Sequence, residues 1–349
     1  MGVIPGCAGD LTAEWLSERL GARVDGFDLV DIGTGVGIFG EIVRVRLRGD
    51  SSLPASIIAK FPTSDPANRP VGDALGIYER EVRFFAEIAP TTPLRVPRAF
   101  AADLDPARGA YVLLLEDLGG MEMGDQVVGV TVPQAERIID GLVTLHATWW
   151  ERPELFALTW LPTSADPAYL ETLPAMYAAG VEVLTANWSD IVGPAAVELA
   201  RTVQPRFGDI LQRTAHRPNT FLHTDSRLDN FFFDRGEPVF IDWQLAVRGR
   251  GPADVAYLIG TSMNVPDQRA HWERLLRRYW DGLVGAGITG YSWEDCRRAY
   301  LESLLYYTIG AMSLIATFDA GNERGEAMTR AYVVRMFTHA VESNALSVL

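Results

Sequence analysis

The hydrophobic pattern of this chain changes its period once, near residue 120, and this change limits the fold more than any other feature. Before it, apolar and polar residues alternate, as in Val43–Leu47, which predicts half-buried strands. After it, apolar residues recur three or four positions apart over long stretches, which predicts helices. The sequence therefore predicts an α+β chain. Its β-rich N-terminal part is residues 1–118, its mainly helical C-terminal part is residues 119–349, and the boundary falls at the Gly119–Gly120 pair.

The same pattern predicts the individual elements. Strands are expected at residues 27–32, 43–47, 55–61, 96–102 and 111–115, and short helices at 11–22 and 76–89. In the C-terminal part, helices are expected at 132–149, 166–190, 194–214, 267–285, 293–317 and 325–345, with a β-rich segment at 220–243 between them.

Composition narrows the class of protein. The chain has 349 residues, 48% of them hydrophobic and 22% charged, which suits a globular protein whose core needs no covalent cross-links. Only Cys7 and Cys296 are present, which argues against a disulfide framework and against a cysteine zinc site. No apolar run has the length of a membrane-spanning helix, and the first residues lack a secretory signal pattern, so a cytoplasmic protein is expected.

The formal net charge is −14, from 31 basic and 45 acidic residues. Nucleic-acid binding depends on neutralising phosphates with cations, so a chain this acidic is a poor candidate for it. Anionic membrane surfaces would repel it as well. The excess of acidic residues suits a neutral or cationic small molecule as the ligand, although a role in keeping the protein soluble is the simpler explanation of the charge.

A glycine-rich segment lies between the first two strands and matches the pattern G-x-G-x-x-G at Gly35, Gly37 and Gly40. In a dinucleotide-binding unit such glycines open a helix, but here the next segment alternates with a period of two and is therefore a strand. This order favours a hairpin that folds over nucleotide phosphates. An ordinary glycine-rich hairpin is the alternative.

The basic residues are 30 arginines and a single lysine, Lys60, which lies in the third predicted strand. Arginine does not replace lysine where a compact point charge is required. The alternative is a chance surface lysine, but its place after the glycine-rich segment favours a phosphate-binding role, which requires a glutamate on the following helix. Glu81 is the favoured partner and Glu79 the second choice, whereas Glu87 is expected to face solvent.

The segment His223–Asn230 has the spacing H-x-D-x-x-x-x-N, in which one loop presents a carboxylate and, five residues later, an amide. Asp242 follows Asn230 by twelve residues and ends an apolar run. Asp225 would lie beside an acceptor hydroxyl, and Asn230 and Asp242 would bind Mg²⁺, which takes few protein ligands. Each of these residues alone could be a turn or cap residue, but the ordered set indicates phosphoryl transfer.

Two further residues, one in this loop and one after it, are expected to stabilise the loop and not to take part in the reaction. His223 would support the loop through a side-chain hydrogen bond, and Asp254 would accept backbone N–H bonds from the loop if its carboxylate is buried.

With these residues assembled, the chain resembles the aminoglycoside phosphotransferase-like small-molecule kinases. The resemblance rests on His223–Asn230, Ile241–Gln244, Gly251–Tyr257, Leu113–Leu118 and Leu145–Trp150, and it covers most of residues 30–260. The last two segments, with Glu81–Phe85, are most similar to the ecdysteroid-kinase-like or choline-kinase-like branch. The helical segments 155–215 and 265–349 are not diagnostic.

The resemblance implies a two-lobed protein-kinase-like fold that binds ATP and Mg²⁺. It implies that Asp225 is the catalytic base and that Asn230 and Asp242 are the magnesium ligands. It implies that Lys60 binds phosphates with Glu81 as its partner. The adenine-contacting segment would be the backbone from Glu116 to Leu118.

Thr224 departs from the family pattern, which usually has glycine there. A β-branched side chain would stiffen the loop on the acceptor side.

The sequence is therefore interpreted as an ATP- and Mg²⁺-dependent phosphotransferase that acts on a hydroxyl group of a small molecule. One alternative is a nucleotide-binding regulatory relative without catalytic activity. Another is a metal-dependent hydrolase using Asp225, Asp229, His223 and Asp242, which would have no use for Lys60. The acceptor stays open among aminoglycosides, amino alcohols, sterol-like alcohols and hydroxyacyl thioesters, as does the oligomeric state.

Overall fold

The computed structural model describes residues 3–32, 40–66, 68–316 and 323–349. The chain divides into two compact units, of which the first comprises Met1–Glu122 and Val239–Leu245 and the second Met123–Pro238 and Ala246–Leu349. The first is rich in strands and the second in helices, which confirms the α+β class. The lobe boundary at residue 118 stays a prediction.

The first unit contains an antiparallel sheet with the order β1-β2-β3-β5-β4. Its strands are β1 (Val24–Asp31), β2 (Gly40–Gly49), β3 (Ser56–Pro62), β4 (Ala99–Asp105) and β5 (Ala110–Glu116). On one face, Ile57, Ala59 and Phe61 of β3 pack in a buried core with Trp15 and Leu16 of α1 (Ala13–Leu20). Because side chains alternate along a strand, Lys60 projects from the opposite face.

The helix expected at residues 76–89 is present but is not uniform. It begins after Gly76 as α3 (Ile77–Arg83), preceded by α2 (Arg69–Ala74), and continues as a π-helical turn at Phe84–Ile88. The ring of Phe84 stacks on that of Trp243, with centroids 3.9 Å apart and planes 8° from parallel. This contact anchors the segment that carries Asp242 within the first unit.

The second unit is mainly helical. After β6 (Glu122–Met123), its helices are α4 (Val132–Trp149), α5 (Pro153–Ala157), α6 (Pro167–Val183), α7 (Ser189–Val192), α8 (Pro194–Val203), α9 (Phe207–Thr214), α10 (Pro252–Ser262), α11 (Val265–Gly285), α12 (Trp293–Ala316) and α13 (Glu323–Glu342). The predicted β-rich segment contains β7 (Thr220–Leu222), β8 (Phe231–Asp234) and β9 (Glu237–Phe240), and β10 (Val247–Gly249) follows. β10 pairs antiparallel with β7.

Two helical predictions are wrong in detail, and one helix is missed. The helix expected at 194–214 is two helices, α8 and α9, because Pro205 lacks an N–H group and lies in a short 3-10 turn between them. The helix expected at 166–190 ends at Val183 and is followed by a π-helical turn and α7. Helix α10 was not predicted as a helix, because all of its residues are buried and it therefore shows no apolar stripe.

Within the described ranges, no helix has both the length and the apolar character needed to cross a bilayer.

Candidate active site

Lys60 lies in a buried acidic cluster of the first unit. Its Nζ atom is 2.5 Å from Oε1 of Glu81 and 3.6 Å from Oδ1 of Asp242. Burial alone would lower the pKa of Lys60, but the charges of Asp242 and Glu81 outweigh it and raise the pKa above its usual value. The ammonium group is therefore charged at neutral pH and held at one place.

The two other glutamates of this region have a different partner. Glu79 Oε1 accepts a hydrogen bond from Arg83 Nε at 2.6 Å, and Arg83 Nη1 donates to Glu87 Oε1 at 2.7 Å. Glu79 and Glu81 are two residues apart, about 200° around a helix, so only one of them can face the sheet. The structure pairs Lys60 with Glu81.

Asp242 has the features of a cation ligand. Its Oδ1 atom is buried and has no hydrogen-bond partner among the residues that the structure describes, since the 3.6 Å to Lys60 Nζ exceeds hydrogen-bond length. Its backbone has a φ of 63°, which is uncommon for a residue other than glycine. The ammonium group of Lys60 offsets part of the charge of this oxygen but leaves its lone pairs without a donor, so the residue fits a role as a magnesium ligand.

The segment from Glu116 to Leu118 begins at the last residue of β5, and both of its carboxylates form hydrogen bonds within the first unit. Glu116 accepts hydrogen bonds from Arg95 Nη2 at 2.6 Å and from the backbone N–H of Arg98 at 3.0 Å. Asp117 Oδ2 accepts from Arg44 Nε and Ser56 Oγ, each at 2.6 Å. If this segment binds the adenine of a nucleotide, its backbone N–H and C=O groups would therefore form the contacts.

The residues of the loop His223–Asn230 lie in the second unit. Oδ2 of Asp225 accepts a hydrogen bond from Asn230 Nδ2 at 2.8 Å, and its Oδ1 accepts one from the hydroxyl of Tyr257 at 2.7 Å. Asn230 Nδ2 also donates to the carbonyl oxygen of Asp225 at 2.8 Å. Because the amide nitrogen of Asn230 is committed to Asp225, its Oδ1 oxygen is the atom that could bind a cation.

Asp254 holds the backbone of the same loop. Its carboxylate is fully buried and accepts hydrogen bonds from the backbone N–H groups of His223, at 2.8 Å, and Thr224, at 2.7 Å. Nδ1 of His223 accepts from the backbone N–H of Asp225 at 3.2 Å. The structural roles expected for Asp254 and His223 are both seen. His146 Nε2 lies 3.2 Å from Asp254 Oδ2, and its Nδ1 is 2.8 Å from the hydroxyl of Tyr279.

Thr224, the departure from the family pattern, has a φ of 62°. In this left-handed conformation glycine is unstrained, whereas a β-branched residue is an outlier. Threonine at this position therefore carries backbone strain that glycine would not.

Gln126 supports the loop in a way that sequence reasoning missed. Its Oε1 atom accepts from the backbone N–H of Leu228 at 2.8 Å, and its own backbone N–H donates to Asp229 Oδ1 at 2.8 Å. Arg335 Nη1 in turn donates to the carbonyl oxygen of Gln126 at 2.6 Å. Gln126 is fully buried and about a hundred residues from the loop, and no local pattern marks it.

Of the three glycines of the predicted phosphate-binding hairpin, the structure describes only Gly40. Gly35 and Gly37 lie outside the described residues, and Gly40 is the first residue of β2, paired in register with Pro62 of β3.

The family model described as the APH phosphotransferase enzyme family matches residues 44–293 of this chain. The protein is therefore a phosphotransferase: the chain belongs to the phosphotransferase enzyme family. A search of curated proteins finds no significant match. The ecdysteroid-kinase-like branch stays a prediction.

Solved structures show which fold the chain has. The microcompartment-associated aminopropanol kinase is 16% identical with a TM-score of 0.57, and the alignment covers 97% of this chain and 99% of that one. Choline kinase from Cryptosporidium parvum Iowa II is 12% identical with a TM-score of 0.55, over 98% and 92% of the two chains. Choline kinase LicA from Streptococcus pneumoniae is 16% identical with a TM-score of 0.53, over 96% and 97%. The expected protein-kinase-like fold, with a β-rich N-terminal and a helical C-terminal part, is confirmed.

Proposed function

We propose that the protein transfers the terminal phosphoryl group of ATP, in the presence of Mg²⁺, to a hydroxyl group of a small molecule. The observation that carries the proposal is the cluster of Lys60, Glu81 and Asp242. It holds a buried, charged ammonium group 3.6 Å from a carboxylate oxygen to which no described residue donates a hydrogen bond. Such a pair suits a phosphate group and its metal ion, and a purely structural ion pair would leave no oxygen unsatisfied.

Each residue has one role in this proposal. Lys60 neutralises phosphate charge and is held in place by Glu81, while Oδ1 of Asp242 and Oδ1 of Asn230 would hold Mg²⁺. When bound, the metal ion offsets the negative charge of the phosphates. Backbone groups from Glu116 to Leu118 bind the adenine, and the glycines at 35, 37 and 40 cover the phosphates.

Asp225 acts on the acceptor. It orients the acceptor hydroxyl, whose oxygen forms a bond to the terminal phosphorus as the bond from that phosphorus to the ADP oxygen breaks, and it takes the hydroxyl proton. The rate enhancement then comes from positioning and electrostatic stabilisation.

The acceptor class stays open. The aminopropanol and choline kinases of similar fold are named for amino alcohols, and the acidic net charge is compatible with a cation. Aminoglycosides, sterol-like alcohols and hydroxyacyl thioesters therefore belong in the same test as amino alcohols. The acidic net charge argues against a nucleic-acid or membrane partner. A cytoplasmic location stays a prediction.

The test is MgATP-dependent release of ADP in the presence of a panel of these acceptors, with Asp225→Asn as the control. We expect one acceptor class to stimulate release in the wild type. The variant should bind ATP with unchanged affinity and turn over about 10²–10⁴-fold more slowly, because only the proton acceptor is lost. Unchanged turnover in the variant would contradict the assignment of Asp225. Binding of ATP without transfer to any acceptor would favour the inactive regulatory relative, and activity without ATP would favour the hydrolase.

A further inference from the structure

We propose that Tyr257 is a positioning residue for Asp225, and that its hydroxyl fixes the orientation of the carboxylate that receives the acceptor hydroxyl. The inference rests on the proposed function, because it concerns the residue assigned there as the proton acceptor. Tyr257 ends the segment Gly251–Tyr257, on which the resemblance partly rests, but the sequence pattern assigns it no role; it lies 32 residues after Asp225.

The two oxygens of Asp225 have different donors. Tyr257 donates its hydroxyl to Oδ1 at 2.7 Å, and Asn230 donates its amide N–H to Oδ2 at 2.8 Å. Two donors on two oxygens define the plane of a carboxylate, whereas one donor would allow it to rotate about its terminal bond. Each oxygen keeps a second lone pair, so an acceptor hydroxyl can still donate to the oriented group.

Helix α10 contacts the loop His223–Asn230 in two ways, through the loop backbone and through the side chain of Asp225. Asp254, in its first turn, accepts the backbone N–H groups of His223 and Thr224, and the Oγ of Ser226 donates to the carbonyl oxygen of Asp254. Tyr257 lies three residues further along the same helix face and contacts the side chain of Asp225. One rigid helix therefore fixes both the loop backbone and its reactive carboxylate.

The ring of Tyr257 is itself held by tyrosines of two other helices. Tyr307 of α12 makes an edge contact with centroids 4.7 Å apart, and Tyr332 of α13 makes another at 6.0 Å. Burial, and after it the charge of Asp225, raises the pKa of the Tyr257 hydroxyl well above its usual value. The hydroxyl therefore keeps its proton at neutral pH and remains a donor to the carboxylate.

Arg227 is a charged neighbour of the carboxylate, and its Nε atom is 3.6 Å from Oδ1 of Asp225. At that distance it contributes charge but not a hydrogen bond of defined direction. The directional restraint on Oδ1 comes from Tyr257.

The experiment compares Tyr257→Phe with Tyr300→Phe. Tyr300 is a matched control because it is also a buried tyrosine of the second unit and its hydroxyl forms a hydrogen bond of 2.6 Å, but its partner is His339 Nε2. A hydrogen bond to a charged group is lost only in the first variant, so we expect its kcat to fall about 10- to 100-fold. The KM for ATP should change less than about twofold, because nucleotide contacts are not altered, and Tyr300→Phe should keep the wild-type kcat. Equal kcat values for the two variants would overturn the proposal.

A second measurement separates this inference from the proposed function. If the wild type transfers phosphate to no acceptor, the proposed function fails, and the orientation of Asp225 in a crystal structure of Tyr257→Phe then decides the inference. The proposal requires the carboxylate to leave its orientation or to occupy more than one. A single, unchanged orientation of Asp225 in that crystal would overturn it.

Discussion

Lys60 Nζ lies 2.5 Å from Oε1 of Glu81 although the two residues belong to different elements, β3 and α3. The pair is buried, and the second carboxylate near the ammonium group, that of Asp242, is 3.6 Å away. Glu81 therefore forms a hydrogen bond with one side of the ammonium group, while the other side adjoins an oxygen that has no donor in the described part of the chain. Under the proposed function, this second side of the ammonium group is the one that would face a phosphate.

Replacing Lys60 by arginine should inactivate the protein. The planar guanidinium is larger than an ammonium group and cannot occupy the space between Glu81 and Asp242 as a point charge. We expect kcat/KM for ATP to fall at least about 100-fold in Lys60→Arg, measured as ADP release. Arg46→Lys, at an exposed position of β2, is the control and should behave like the wild type. Wild-type activity in Lys60→Arg would remove the assignment of a phosphate-binding role.

Asp117→Asn should weaken nucleotide binding more than turnover. Burial would raise the pKa of Asp117, but hydrogen bonds from Arg44 and Ser56 outweigh it and lower the pKa, so the carboxylate is charged and fixes the segment after β5. Losing these charge-assisted bonds should raise the KM for ATP about tenfold and leave kcat within about twofold.

The control for this prediction is Asp103→Asn, which removes a carboxylate bonded to Arg19 Nε at 2.7 Å elsewhere in the first unit. Its KM for ATP should equal that of the wild type. The prediction is wrong if the two variants raise the KM equally, because loss of general stability would then explain the effect.

Thr224→Gly should be more stable than Thr224→Ala. Both variants lose the hydroxyl and methyl groups of threonine, but only glycine, which has no Cβ atom, adopts a φ of 62° without steric crowding. Glycine has greater conformational freedom in the unfolded chain, which reduces the difference. After allowance for this, we expect the unfolding free energy of Thr224→Gly to exceed that of Thr224→Ala by about 1 kcal/mol. Urea denaturation measures the difference, and a more stable alanine variant would show that the strain is absent.

His339 should make the stability of the protein depend on pH. Burial lowers the pKa of His339 to about 3, against a usual value of 6.5. Between these values the unfolded chain binds a proton that the folded chain does not, so the contribution is complete above pH 6.5 and stability falls as the pH falls below it. The slope for one such group is at most about 1.4 kcal/mol per pH unit. Urea denaturation from pH 7 to pH 5 should give a shallower dependence for His339→Gln, and parallel curves would contradict the prediction.

Much of the fold follows from local patterns. The strands at 43–47, 55–61 and 111–115 and the helices at 132–149, 267–285 and 293–317 are found within a few residues of their predicted bounds. The errors lie where local pattern is uninformative. The buried helix α10 has no polar face, and the break at Pro205 interrupts an otherwise continuous periodicity.

The sequence by itself determined that the chain has one lysine, that the loop His223–Asn230 presents a carboxylate and an amide at fixed spacing, and that strands precede helices. These are properties of residues adjacent along the chain, and they suffice to indicate phosphoryl transfer. Only the tertiary structure decided that Glu81 rather than Glu79 contacts Lys60, and that Tyr257 orients Asp225. The reason is physical: which face of a helix is buried, and against which strand or loop, depends on packing between distant segments, and no local spacing encodes it.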